Sequence, residues 1–410
     1  MIHLVNNPSI YHFVLTSFVE LDLLNRNRVN TALAGLSIIG LLTAAMVQPA
    51  VGMLSDRTRG RLGSRYPYFI AGSAAALILM LVMVNANTWL MLLPMVAGVA
   101  IALNAVQSPL QAMIPDYVLP ARMGFAASIK TVMELSGAVV SGLVVIAFLG
   151  TNTHPELAVV AVSVILFTTI FITFRTAPPE AARYADNKQE GHARRKLWLW
   201  VTWRAVHQIL RRPSLQWWLL GRFFFYASFN TIGRFAVTYM TDVLGYGDGE
   251  ARAIQGVVLV MVGILIFTTT ILSGFLADRY GRRRLATIGA GMAAAAASAM
   301  AVAPPNLAFA ITMIAVMGIG SGVHFSAGWA LVMQLIPLRK AAFYLGFMNL
   351  ATTLGAAFGM LGGVLVDVVN ETADNPATGY AILFAFAAVF FGIGAFSTSR
   401  IEDPRFQGAA

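Results

Sequence analysis

The sequence predicts an all-α membrane protein with twelve transmembrane helices in two six-helix bundles, and three observations predict it. Of 410 residues, 58% are hydrophobic and only 11% charged, and mean hydropathy is +0.72. Soluble domains carry about 25% charge. Apolar runs long enough to cross a bilayer, about 20 residues each, alternate with short basic loops along the whole chain. Features of the first half also recur in the second at a fixed offset of 222 residues. Together these exclude a water-soluble enzyme, and no nucleotide loop or folded loop domain suggests any other kind. The absence of cysteine removes disulfides, thiol nucleophiles and Cys-based metal sites. A net charge of +10 reflects orientation by the membrane rather than nucleic-acid binding.

Residues 8–24 are most of a first helix, entered at Asn6, Asn7 and Pro8 with little upstream. A cleaved signal peptide would need a basic stretch before its apolar run, and here the first arginine is Arg26, after it. The first helix is thus read as truncated, with the expectation that the natural start lies upstream of Met1. Eleven further spans follow at 29–54, 68–86, 88–113, 124–149, 156–174, 215–243, 253–276, 285–303, 306–335, 343–367 and 379–398. Twenty-two of the 28 Lys and Arg fall in loops on the side of 55–67, and three fall on the opposite side. This bias places those loops and the C-terminus in the cytoplasm of a multi-pass protein of the cell membrane.

The expected domains are a six-helix bundle over 1–174, a cytoplasmic linker over 175–214, a second bundle over 215–398 and a tail over 399–410. Within the linker, residues 194–210 place Leu199, Trp203, Val206 and Leu210 on one helical face beside basic residues. That pattern suits either a helix on the membrane surface or an ordinary packed linker helix. The repeat aligns Gly52, Asp56 and Arg57 with Gly274, Asp278 and Arg279, and Pro115 and Gly124 with Pro337 and Gly346. Two loops sharing one offset indicate a duplicated six-span unit.

The stretches GMLSDRTRGRLGSRYPYFIAG (52–72) and GFLADRYGRRR (274–284) resemble the inner-loop signature of the major facilitator superfamily. The longer first version, preceded by Gln48-Pro49, with Gln107-Ser-Pro109 and the stretch from Pro115 to Gly124, is similar to the glycoside/pentoside/hexuronide cation symporters and sucrose transporters. The resemblance implies a major facilitator fold working by alternating access, and transport of a sugar or glycoside. Gating would fall to Gly52, Asp56, Arg57, Gly274, Asp278 and Arg279. A carboxylate on such a loop can approach a helix N-terminus, and the arginines can meet acids or lipid phosphates. In melibiose-type carriers the cation site uses acids just before proline on spans 2 and 4, where this chain has Gln48 and Gln107. Glutamine binds hydroxyls but offers neither a sodium-coordinating carboxylate nor a titrating proton, and plant-type sucrose carriers tolerate Gln before the second-span proline, so the resemblance implies a proton rather than sodium as coupling ion, with no cofactor or metal.

Polar groups within spans are kept where they face protein or a water-filled cavity. Lys130 and Glu134, four apart on span 5, share a helical face as either a structural ion pair or a proton-linked pair. Arg222, Tyr226, Asn230 and Arg234 form a stripe along span 7. Arg222 is expected to snorkel near one end, leaving Tyr226, Asn230 and Arg234 as substrate candidates. His324 is either a hydrogen-bonded structural histidine or a proton carrier. Asn104, Gln255 and Asn349 complete the interior list. Glycines 137, 142, 355, 359, 362 and 363 suit close packing, with spans 5 and 11 as the rocking interface. Expected partners are a small-molecule solute and the lipid bilayer, with the protein a monomer. The alternatives are proton-driven efflux of amphipathic compounds, suggested by Phe223, Phe224, Phe225 and Tyr226, and a non-transporting membrane sensor.

Overall fold

A computed structural model describes residues 28–58, 65–84, 88–117, parts of 133–148, 155–176, 211–335, 341–373 and 375–402. The helices are α1 (Val29–Arg57), α2 (Tyr66–Val84), α3 (Trp89–Tyr117), α4 (Pro155–Thr176), α5 (Pro213–Arg234), α6 (Ala236–Asp242), α7 (Asp248–Tyr280), α8 (Arg282–Val302), α9 (Leu307–Leu335), α10 (Ala341–Thr372) and α11 (Ala377–Ser399). Among the described residues there is no strand, and seven helices are long and apolar enough to cross a membrane. The architecture is all-α. The first expected span and the linker helix at 194–210 lie outside the described residues.

Most helices run a few residues past their apolar stretch. α1 reaches Arg57 and α10 reaches Thr372, because nothing in the flanking polar sequence breaks the helix. The run expected as one span over 215–243 is instead two helices, α5 and α6, divided at Phe235 (φ −99°, ψ 14°). The break opens the carbonyl of Gly233, and Gln255 of α7 donates its amide to it at 3.3 Å. Such rescue of a freed backbone group is what allows a helix to be interrupted away from water.

Small residues set how closely the C-terminal helices approach. On α8, Ala286, Gly289, Ala290, Ala293 and Ala297 are buried at helical spacing. A Cβ at Gly320 of α9 would stand 2.5 Å from the Gly289 carbonyl, so only hydrogen fits there. Gly355 and Gly359 of α10 lie against the carbonyls of Phe223 and Ala227 of α5, and Thr231 Oγ1 donates to Gly359 O at 2.6 Å. These two glycines serve the close helix packing expected of them, here among the C-terminal helices. Gly281, at φ 92°, turns the chain from α7 into α8 in one residue.

N-terminal and C-terminal helices meet at two seams. At one, α1 packs on α10. At the other, Gly142 faces α7, where an added Cβ would lie 2.6 Å from Gly256 O and 2.9 Å from Val260 Cγ2. Spans 5 and 11 therefore each meet a helix of the opposite half.

Candidate functional site

The polar stripe of α5 is built around Arg222, which is 5% exposed. Its guanidinium lies 4.3 Å from the Trp329 ring, 4.6 Å from Tyr226 and 5.1 Å from Trp218. Three rings around one cation give favourable cation–π contact where water is scarce. Arg222 Nε donates to Thr352 Oγ1 of α10 at 2.8 Å, and its Nη2 donates to Tyr226 Oη at 3.2 Å. Trp218 is itself fixed by its Nε1, which donates to Gly328 O at 3.0 Å. Arg222 does not snorkel; the aromatic residues one turn either side of it and Trp329 of α9 hold it inside. The expectation missed this because two of the three rings belong to its own helix and the third is 107 positions away.

The crevice beside Arg222 is lined by Trp218, His324, Gly328 and Thr398. His324 is buried, stacks on Phe225 with centroids 3.9 Å apart, and its Nδ1 lies 2.9 Å from Ala286 O of α8. One more turn along α5, half-buried Asn230 turns its amide back to the Tyr226 carbonyl at 2.9 Å. Arg234 ends α5 and is partly buried. Past the α5–α6 break, a small, mostly apolar pocket lies among Ile232, Phe235, Tyr239, Gln255, Met300 and Phe384.

On the N-terminal side, Asn104 is buried on α3 and donates to Ala100 O of its own helix at 2.7 Å. Gln107, one turn further, is half-buried. Gln48, Gly52, Asp56 and Arg57 fall on α1, Asp278 on α7 and Asn349 on α10, but their side chains lie outside what is described, as do Lys130 and Glu134 entirely. Gly274 and Arg279 are exposed on α7, with Arg279 5.6 Å from the Tyr280 ring.

The two basic loops are tied down differently. Arg65 Nη1 donates to buried Ser55 Oγ at 2.5 Å, and Thr58 shares a 2.8 Å hydrogen bond with Tyr68. In the second loop, Arg282 donates to Ala330 O at 3.0 Å and Arg283 to Ile401 O at 3.1 Å. Those arginines find carbonyls near the end of α9 and just past α11, a favourable place for cations.

Long apolar helices that keep a buried cation and amides between them define a polytopic membrane carrier. The chain belongs to the Major Facilitator Superfamily, whose model matches residues 12–360, and it is a membrane-spanning transporter. Its fold resembles a bacterial homologue of the human lysosomal transporter Spinster. The inward-facing, occupied form gives TM-score 0.67 at 18% identity, covering 97% of this chain and 94% of that one. The unoccupied inward-facing form gives 0.69 at 17%, with the same coverage. A D-xylose-proton symporter gives 0.66 at 15%, covering 95% and 94%. A Na(+), Li(+), K(+)/H(+) antiporter of Planococcus maritimus is 28% identical over 152 residues, 34% of this chain and 34% of that protein. The chain thus spans about a third of the length of that curated relative.

Proposed function

We propose that the chain is a secondary active transporter that moves a small organic solute, a sugar or glycoside, together with a proton by alternating access. Two six-helix bundles, 1–174 and 215–398, rock about a midplane site, with 175–214 as cytoplasmic linker and the C-terminus in the cytoplasm of the cell membrane. The observation that carries the reading is the stripe on α5, where Arg222, Tyr226 and Asn230 present hydrogen-bonding groups beside aromatic faces. Hydroxyl-rich solutes need such a mix of rings and amides. Asn104, Gln107 and Gln48 would meet the solute from the first bundle, Asn349 and Arg234 from the second. The fold likeness to a D-xylose-proton symporter supports the sugar reading, and a proton is named in both that protein and the antiporter relative. Glu134, paired with Lys130, is the proposed proton carrier, and the glycoside/pentoside/hexuronide symporters remain the proposed subfamily.

A second reading, cation/proton antiport, is favoured by the Planococcus maritimus relative. Uptake into proteoliposomes under an imposed pH gradient separates the two. Sugar uptake that Tyr226→Phe and Asn230→Ala each lower at least tenfold, and that Glu134→Gln uncouples from the gradient, supports the proposal. Proton flux driven by sodium, lithium or potassium alone supports antiport. Proton-dependent movement of amphipathic compounds only would move the assignment to efflux.

A further inference from the structure

The α1–α10 seam carries a polar cluster to which none of the candidate residues belongs. Helix α1 starts with no side-chain cap and no acid in its first turn, so its leading N–H groups and partial positive charge lack an anion from their own segment. Asp367 of α10 supplies one from 336 residues away. Its Oδ2 accepts the Thr31 backbone N–H at 2.6 Å, and its Oδ1 accepts the Asn30 amide at 2.9 Å. The same amide donates to Tyr380 Oη of α11 at 3.2 Å, and Tyr380 donates to Asp242 Oδ2 at the end of α6 at 2.7 Å. Asp367 and Asn30 are each 3% exposed. Gly363, one turn before Asp367, brings the helices together, since a Cβ there would stand 2.6 Å from Asn30 O.

We infer that Asp367 is a detachable cap on α1, holding this end of the seam closed while ionised, and that neutralising its carboxylate by a proton or by substitution releases it. The inference rests on the alternating-access reading but not on the identity of the solute. The cluster lies at the end of the helices away from the basic loops, because Asn30 is in the first turn of α1 and Thr58 follows its last residue. Separation of α1 from α10 leaves the first-turn N–H groups and the carboxylate without each other, so closure and ionisation favour one another. A neutral carboxyl keeps an acceptor oxygen but loses the attraction to the helix end, and charge-assisted hydrogen bonds are about twice as strong as neutral ones. Among the described residues, the other charged or titratable groups at these helix ends are Arg28 on α1, Arg234 on α5, Tyr239 and Asp242 on α6, Asp248, Glu250 and Arg252 at the start of α7, Glu371 on α10 and Tyr380 on α11. Arg28 and Glu371 form a 2.7 Å ion pair on the exposed rim.

Because the chain has no cysteine, spin labels can be placed on it without background. Gly35→Cys and Val368→Cys put one label on each helix at exposed positions, and pulsed electron spin resonance of the full chain in lipid nanodiscs reads their distance at acidic and alkaline pH. The expected result is a short distance at alkaline pH and at least a tenfold rise in the open-to-closed ratio on acidification. Asp367→Asn should be open at both pH values, Asp367→Glu should recover the closed form at alkaline pH, and Asn30→Ala should open partly while still responding to pH. Asp367→Asn matching the parent in distance and pH response overturns the inference. A seam that switches as expected in a protein moving neither sugar nor protons removes the transport reading and leaves the cap intact.

Discussion

The two seams between N-terminal and C-terminal helices occupy related positions in the repeat yet are made of different materials. Where span 5 meets α7, Gly142 and Gly256 bring backbone against backbone, with Val139 against Gly263 further along. Where α1 meets α10, a carboxylate reaches across to a helix end. Close packing of small residues has no protonation state, so the contact of Gly142 with Gly256 does not itself titrate. A seam held through one ionisable group can be opened by changing that group. On this reading one seam acts as a bearing and the other as a catch.

The largest effect is expected from breaking the bearing. In Gly256→Val the new Cβ falls 2.6 Å from Ile146 Cγ1 and 2.9 Å from Gly142 O, and overpacking of this kind costs about 1–3 kcal/mol. Uptake should fall below detection in proteoliposomes, with a lower Tm in detergent. Uptake at the parental rate would show that the seam tolerates separation. A control away from both seams comes next. His324→Ala loses the Phe225 stack and the hydrogen bond to the Ala286 carbonyl, about 2 kcal/mol for a buried side chain deleted with its hydrogen bond. Its Tm should drop while uptake stays within about threefold, as the stability cost alone does not reach the solute path. If uptake is lost with the fold intact, His324 is a coupling residue instead.

Smaller changes sharpen the catch. Tyr380→Phe removes the hydroxyl that bridges Asn30 and Asp242, worth about 1 kcal/mol, and should raise the open population at alkaline pH about fivefold by the spin-label distance. The smallest effect belongs to Arg28→Gln. Its ion pair with Glu371 joins side chains 48% and 36% exposed, so the change should stay below about 1 kcal/mol and vanish in high salt. A larger, salt-resistant effect would make the rim part of the catch.

Much of this molecule can be read from sequence because its helices must each satisfy one rule, a run of apolar residues long enough for the bilayer. The helix order and the duplicated loops follow from that rule and from Asp56 and Asp278 sharing an offset. The division of span 7 at Phe235 does not, since its apolar pattern continues through the break and the compensating Gln255 sits on another helix. The cap was hidden for a related reason. Asp367 is the last residue of the apolar run expected over 343–367 and resembles an ordinary solvated boundary acid; only its distance to Thr31 shows otherwise. A carboxylate at a helix N-terminus was expected of Asp56, on physical grounds that hold, but the observed example lies at the opposite end of α1. Aromatic enclosure of Arg222 likewise depends on Trp329, which no periodicity on α5 can supply.

The seven residues of α6 are too few to form a helix on their own, since isolated helices shorter than about 12–15 residues are marginal in water. They keep their shape by burying Val237, Thr238 and Met240, by packing on α7 and through the Tyr380 link to Asp242. Loss of that link removes a tether from the least self-sufficient helix in the C-terminal half. In deuterated buffer its amides should exchange ahead of those of α5 and α7, and the lag between them would time how often the catch lets go.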